Sequence, residues 1–116
     1  MKIVGKLTSE VIKAFGLDYE EGKEISLSLR RKRHMEKHRD EFSDFDETFE
    51  SIDEIISNPD FVGLHPNGKS LEYVKKIDGN VLVAVRLGDN LDVRTMYVVK
   101  ESKLQNYINS GRTKKM

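Results

Sequence analysis

The chain has 116 residues, 37% apolar and 34% charged, with 20 Lys and Arg against 20 Asp and Glu and no cysteine. That length supports one domain with one core, and the absence of cysteine removes disulfide frameworks and thiolate metal sites. No apolar run approaches the roughly 18 residues of a membrane span, and Met1-Lys2-Ile3-Val4-Gly5 lacks the apolar stretch of a secretory signal, so a cytoplasmic protein without membrane contact is expected.

The zero net charge conceals segregation. Arg30 to Arg39 holds six Lys or Arg and one acid, whereas Asp40 to Glu54 holds eight acids and no Lys or Arg. The last six residues, Gly-Arg-Thr-Lys-Lys-Met, are basic again. A neutral chain counts against a general nucleic-acid coat protein, but a local basic patch can still hold a short strand.

Lys2 to Leu7 reads as a short strand. Thr8 or Ser9 then caps a helix whose apolar residues are Val11, Ile12 and Phe15, with Gly16 as its stop. Ile25-Ser26-Leu27-Ser28-Leu29 alternates and predicts a half-buried strand. A basic helix is expected from about Arg30 to Phe42. On its wheel His34 and His38 lie about 40° apart and share an arc with Met35 and Phe42, so both histidines are expected to face the protein rather than solvent. Phe45, Phe49, Ile52 and Ile56 then form the core stripe of a second helix, ended by Asn58-Pro59.

From Phe61 the period changes to two. Strands are expected at Phe61 to Leu64, Leu71 to Ile77, Val81 to Val85 and Leu91 to Val99, with Asp78-Gly79 and Gly88-Asp89-Asn90 as turns. Val93, Thr95 and Tyr97 are placed on one face of the last strand, and Arg94, Met96 and Val98 on the other. Leu104, Tyr107 and Ile108 predict a final short helix. The fold class is α+β: helices packed on an antiparallel meander of about four strands, behind a small strand-helix-strand unit. The single domain 1–116 divides into an extension (1–24), a core (25–110) and a basic tail (111–116).

Three groups of residues could carry chemistry. His34 and His38 lack the intervening Glu of a metalloprotease helix, since position 35 is Met, and His65 is the sole further histidine, so no metal or cofactor is expected. They are either edge histidines beside Phe42 or a general acid–base pair, and their basic surroundings favour the neutral, base-competent form. Lys75, Lys76, Arg86 and Arg94 are cations on strands. Arg86 ends an apolar run, where it either pairs with Asp89, Asp92 or the acidic helix, or holds a phosphate. Thr95 and Tyr97 share a sheet face, as ordinary strand formers or as a phosphate-orienting hydroxyl and a base-stacking ring.

The order of these features resembles the phage-associated branch of the barnase–EndoU–colicin–RelE-like nuclease superfamily. The resemblance runs over roughly Ile25 to Val99. It is carried by the helix Arg-x-His-x-x-x-His, by Ile-Asp-Glu-Ile-Ile-Ser-Asn-Pro-Asp, by Glu-Tyr-Val-Lys-Lys, by Val-Leu-Val-Ala-Val-Arg and by Val-Arg-Thr-Met-Tyr. It implies helices on a four-stranded antiparallel sheet and metal-independent cleavage of single-stranded RNA by attack of the ribose 2′-hydroxyl on its own phosphate. It also implies a toxin-like protein whose partner is an antitoxin or immunity protein. Residue by residue it implies His38 and His34 on the helix, Lys75 on a strand and Thr95 on the last strand as catalytic groups. Charge adds Arg86, Arg31 and Arg94 as substrate contacts, with Tyr97 as the stacking ring. A binding module that does not cleave is the alternative on the same fold.

Overall fold

Seven strands form one sheet in the computed structural model, which describes residues Met1 to Met116. They are β1 (Lys2–Lys6), β2 (Glu24–Leu27), β3 (Phe61–Leu64), β4 (Ser70–Lys76), β5 (Asn80–Arg86), β6 (Leu91–Val99) and β7 (Thr113–Lys115). The helices are α1 (Ser9–Phe15), α2 (Leu29–Met35), α3 (Phe45–Glu50), α4 (Ile52–Ser57) and α5 (Glu101–Asn109), with a 3₁₀ segment at Glu36–Glu41. The sheet order is β1-β2-β6-β5-β4-β3-β7. The expected α+β class and the meander β3–β6 are present, but the sheet has seven strands rather than four.

Two features account for the extra strands. The front unit does not stand apart from the meander. Its β1–β2 hairpin joins the sheet through a short parallel pairing, Ile25 with Leu91 and Ser26 with Asp92. The basic tail folds back as β7, pairing antiparallel with β3 from Gly63–Thr113 to Phe61–Lys115. Gly63 permits this approach, because a Cβ there would lie 2.6 Å from Thr113 Oγ1 and 3.0 Å from the Arg112 carbonyl oxygen.

The inner face of the sheet carries Leu71 and Tyr73 of β4, Val81, Val83 and Val85 of β5, and Val93 and Met96 of β6. These pack with Met35, Phe45, Phe49, Ile52, Ile55 and Ile56 from the helices into one core of 21 buried residues. Apolar side chains at every second strand position meet the stripe foreseen for the acidic segment, which is why this face is the dry one. The outer face is covered only at one end, where Leu104 of α5 packs on Val74, Leu82 and Val99.

Local chemistry breaks two helices that the wheel treats as continuous. The acidic segment bends at Ser51 (φ −97°, ψ 9°). Thr48 Oγ1 donates to the Asp44 carbonyl and Ser51 Oγ to that of Glu47, competing with the backbone ladder as such hydroxyls do. The basic helix turns 3₁₀ after Met35, so residues three apart eclipse. Met35, His38 and Glu41 therefore line up towards β6.

Strand β6 departs from simple alternation as well. Ala84 pairs with Thr95 but Val85 pairs with Val93, so Arg94 is the extra residue of a β-bulge. Val93 thereby joins Met96 on the inner face, which corrects its expected place beside Thr95 and Tyr97.

Candidate active site

The outer face beyond α5 presents a set of polar side chains fixed by register. Thr95 pairs with Ala84, Tyr97 with Leu82, Asp92 with Arg86, and Glu72 of β4 also with Ala84, so all of these point to the same side. The second wall is the basic segment, which runs along the edge of β6 that β2 leaves unpaired after Asp92.

His38 sits on this wall against Tyr97, with ring centroids 5.8 Å apart. Its Nδ1 lies 2.6 Å from Glu41 Oε2. The other oxygen of Glu41 accepts the backbone N–H of Val98 at 2.9 Å. Glu41 thus ties the imidazole to an otherwise unpaired strand edge. A carboxylate at Nδ1 assigns that nitrogen the proton and leaves the Nε2 lone pair available, the arrangement used by base-competent histidines. Tyr97 is largely buried, and burial with the nearby Glu72 carboxylate pushes its phenol up to about 12, so it stays protonated at neutral pH.

His34 is exposed, contrary to the expectation that it faces inward. The α-helix has one residue left after it, and the change to 3₁₀ geometry gives the inward row to Met35 and His38 instead. Lys37, whose Nζ is 3.5 Å from His34 Nε2, lowers the pKa of His34 below its ordinary value, helped by partial desolvation, Arg31 and Arg94.

Arg31 and Arg94 line one cavity, and Arg86 stands opposite Asp92, which also lines it. The bulge brings Arg94 to the Asp92 side of β6, and its pKa is lowered first by desolvation, then by Arg31 and Arg86. None of the six ion pairs of the chain involves these three residues. The carboxylates proposed as structural partners for Arg86 do not take it up. Asp92 accepts the Ser26 hydroxyl at 2.9 Å instead, and the cations of α2 and the 3₁₀ segment that meet the acidic segment are Lys32 and Arg39, on Asp46.

Lys75 is not brought to this group. It pairs with Val81, on the inner-face side, and its Nζ donates to the Asn58 carbonyl at 2.7 Å, capping the end of α4. The odd spacing between Lys75 and Glu72 sends them to opposite faces. Thr95 is placed with the group, and its Oγ1 is a buried side-chain oxygen without a hydrogen-bond partner.

Sequence reasoning missed Glu41, Glu72, Tyr107 and Arg112. Glu72 is 3% exposed and takes a two-pronged contact from Arg112, Nε at 2.9 Å and Nη2 at 2.8 Å. Arg112 also lies over the Tyr107 ring, 3.8 Å from its centroid, and Glu72 holds the guanidinium pKa above its ordinary value. The period of three linking Met35, His38 and Glu41 was a usable signal for Glu41. Nothing in the sequence links residue 72 to residue 112. No three His, Asp or Glu side chains converge as a metal-binding group, and no helix is long and apolar enough to cross a membrane.

The molecule is thus an α+β sheet with one dry face, and with a carboxylate-held histidine and arginines outside its ion pairs on the other side. The chain belongs to the family of phage-Barnase-EndoU-ColicinE5/D-RelE like nuclease3, whose model matches residues 1–106. That family is phage-associated and named for nuclease activity, and it agrees with the resemblance read from the sequence. No curated protein and no solved structure matches the chain.

Proposed function

We propose that the protein is an endoribonuclease that cleaves single-stranded RNA without a metal ion, by transesterification at the ribose 2′-hydroxyl. The observation that carries this reading is the His38–Glu41 pair seated on Tyr97, with arginines outside every ion pair further along the same side of the sheet. His38 Nε2 takes the 2′-hydroxyl proton as the oxygen attacks phosphorus, while Glu41 stabilises the imidazolium that forms. The bond from phosphorus to the 5′-oxygen breaks, and the protonated Tyr97 phenol supplies the proton to that leaving oxygen. Arg86 and Arg94, further along the same side of the sheet, supply positive potential for the negative charge that builds up on the non-bridging oxygens. The products are a 2′,3′-cyclic phosphate and a 5′-hydroxyl. His34, neutral because of its cationic neighbours, is a substrate contact on this reading rather than the acid.

Such an activity fits a phage or mobile-element effector acting in the cytoplasm, restrained by an antitoxin or immunity protein. The test is incubation with mixed-sequence single-stranded RNA in EDTA. Cleavage leaving cyclic ends is expected, with a loss of at least about 100-fold in His38→Ala, the lower end of the usual range for removing one acid–base group. Intact RNA with the wild-type protein under these conditions would refute the proposal. The second reading, an RNA-binding module that does not cleave, is favoured by the displacement of Lys75 to the inner side and by the exposure of His34. It requires retained RNA affinity with no cleavage.

A further inference from the structure

We infer that the cavity between α2 and the point where β2 parts from β6 is a nucleotide subsite, holding an RNA phosphate on Arg31 and Arg94 and the ribose on Asp92 and Ser26. The inference rests on RNA being the substrate, as proposed above. Three observations carry it.

The first is the shape. β2 stays paired with β6 only through Ser26–Asp92, then enters α2 at Ser28. The bulge at Arg94 bends β6 just beyond that pair. The sheet therefore opens, leaving a cavity of about 600 Å³ lined by Ser26, Ser28, Arg31, His34, Asp92 and Arg94 among others. That volume lies within the usual range for small-ligand sites.

The second is charge. Arg30, Arg31, Arg33 and Arg94 line the cavity, and Asp92 is its one acid. Arg31 and Arg94 line the same cavity, where Arg31 adds to the desolvation that disfavours the charge of Arg94, and neither has an ion-pair partner. Like charges held together are unfavourable until an anion joins them, and guanidinium forks suit phosphate oxygens.

The third is Asp92 itself. A site for a bare anion or an acidic peptide would be weakened by a carboxylate in its floor. A carboxylate already holding one hydroxyl, that of Ser26 at 2.9 Å, instead suits the paired hydroxyls of a ribose. The same chemistry serves the acidic residue that binds ribose in dinucleotide folds. Tyr97 lies three positions beyond Arg94, about 10 Å along a strand, which puts this nucleotide next to the bond facing His38.

The experiment is an amide chemical-shift titration of the full chain with adenosine 5′-monophosphate, which has no diester to cut, so that binding and cleavage can fail separately. Shifts centred on Ser26, Arg31, Asp92 and Arg94 are expected, with affinity falling at least ten-fold in Arg31→Gln/Arg94→Gln and unchanged in Lys13→Gln. The 2′-deoxy nucleotide and inorganic phosphate are expected to bind more weakly than the ribonucleotide, and Asp92→Asn is expected to narrow that difference. Equal binding of inorganic phosphate would overturn the ribose assignment and leave a plain anion site. Shifts scattered over the basic tail, no saturation at millimolar nucleotide, or shifts at the same amides only with polyglutamate would overturn the subsite, the last in favour of an acidic protein partner. Unaltered amide positions away from the cavity verify that the variants fold.

Discussion

Arg112→Ala offers the sharpest test of the energetics on the outer face. The substitution leaves Glu72, 3% exposed, without the two guanidinium contacts at 2.9 and 2.8 Å that satisfy both its oxygens. Removing one member of a buried pair costs about 3–5 kcal/mol, because the remaining charge keeps its desolvation penalty and loses its partner. Loss of the guanidinium over Tyr107 adds about 0.5–1 kcal/mol at a partly exposed position. A central figure of about 5 kcal/mol, set against an unfolding entropy of roughly 2.1 cal/mol/K per residue, lowers Tm by about 20 °C in a chain of 116 residues. Urea unfolding monitored by far-ultraviolet circular dichroism measures the free energy, and a thermal scan the midpoint. The paired change Glu72→Leu/Arg112→Met removes both charges and is expected to recover most of the loss, since apolar replacements of buried pairs are often neutral or better. A loss below about 1 kcal/mol in Arg112→Ala, the value of a surface pair, would refute the view that β7 closes a buried charge pair over the sheet.

Further outcomes follow from the same geometry. In Glu41→Gln a single amide oxygen cannot serve both the Val98 N–H and His38, so RNA cleavage is expected to fall about 10- to 100-fold, as for other partners that orient a functional imidazole. Stability in that variant is expected to change by no more than about 1 kcal/mol, so a large loss of stability would assign Glu41 a structural role only. Gly63→Ala forces the Thr113 hydroxyl and the Arg112 carbonyl away and is expected to detach β7, seen as lost hydrogen-exchange protection from Thr113 to Lys115; unaltered protection would contradict the close approach. His34 titrates below its usual 6.5 in the folded chain, chiefly because of Lys37, so the unfolded chain takes up its proton first as pH falls. Its contribution is therefore complete above about pH 6.5 and lost as pH falls from there through the folded value. The slope of urea midpoint against pH in this window is expected to flatten in His34→Gln, and Lys37→Gln is expected to move the His34 imidazole resonances towards an ordinary titration.

Much of the fold is legible because it depends on local periodicity. Val81 to Val85 is continuously apolar and becomes the central strand, with all but Ala84 fully buried. Phe45, Phe49, Ile52 and Ile56 repeat at helical spacing and fill the core, even though Ser51 breaks the helix that carries them. Thr8 and Asp44 cap the helices they precede through side-chain oxygens accepting backbone N–H groups, whereas Ser28, expected inside a strand with Leu29, ends that strand by capping α2 in the same way. The basic composition of Arg30 to Arg39, its two histidines and the hydroxyls of β6 were likewise visible in the sequence, and with them the candidate chemistry.

Tertiary structure decided which of these groups meet. A single-residue bulge at Arg94 reversed the face of Val93 and brought Arg94 to Arg86, and alternation along a strand cannot foresee an extra residue set by pairing with its neighbour. A shift from α to 3₁₀ winding after Met35 turned His34 outward and aligned His38 with Glu41, although the composition of the segment reads equally well as one helix. Lys75 went to the end of α4 and Glu72 to Arg112, contacts 17 and 40 residues apart in the chain. Local composition sets which elements form and which faces are dry, since each residue carries its own hydrophobicity and backbone preference. The partners of individual charged groups depend on register, bulges and chain reversal, which arise only when distant segments pack together.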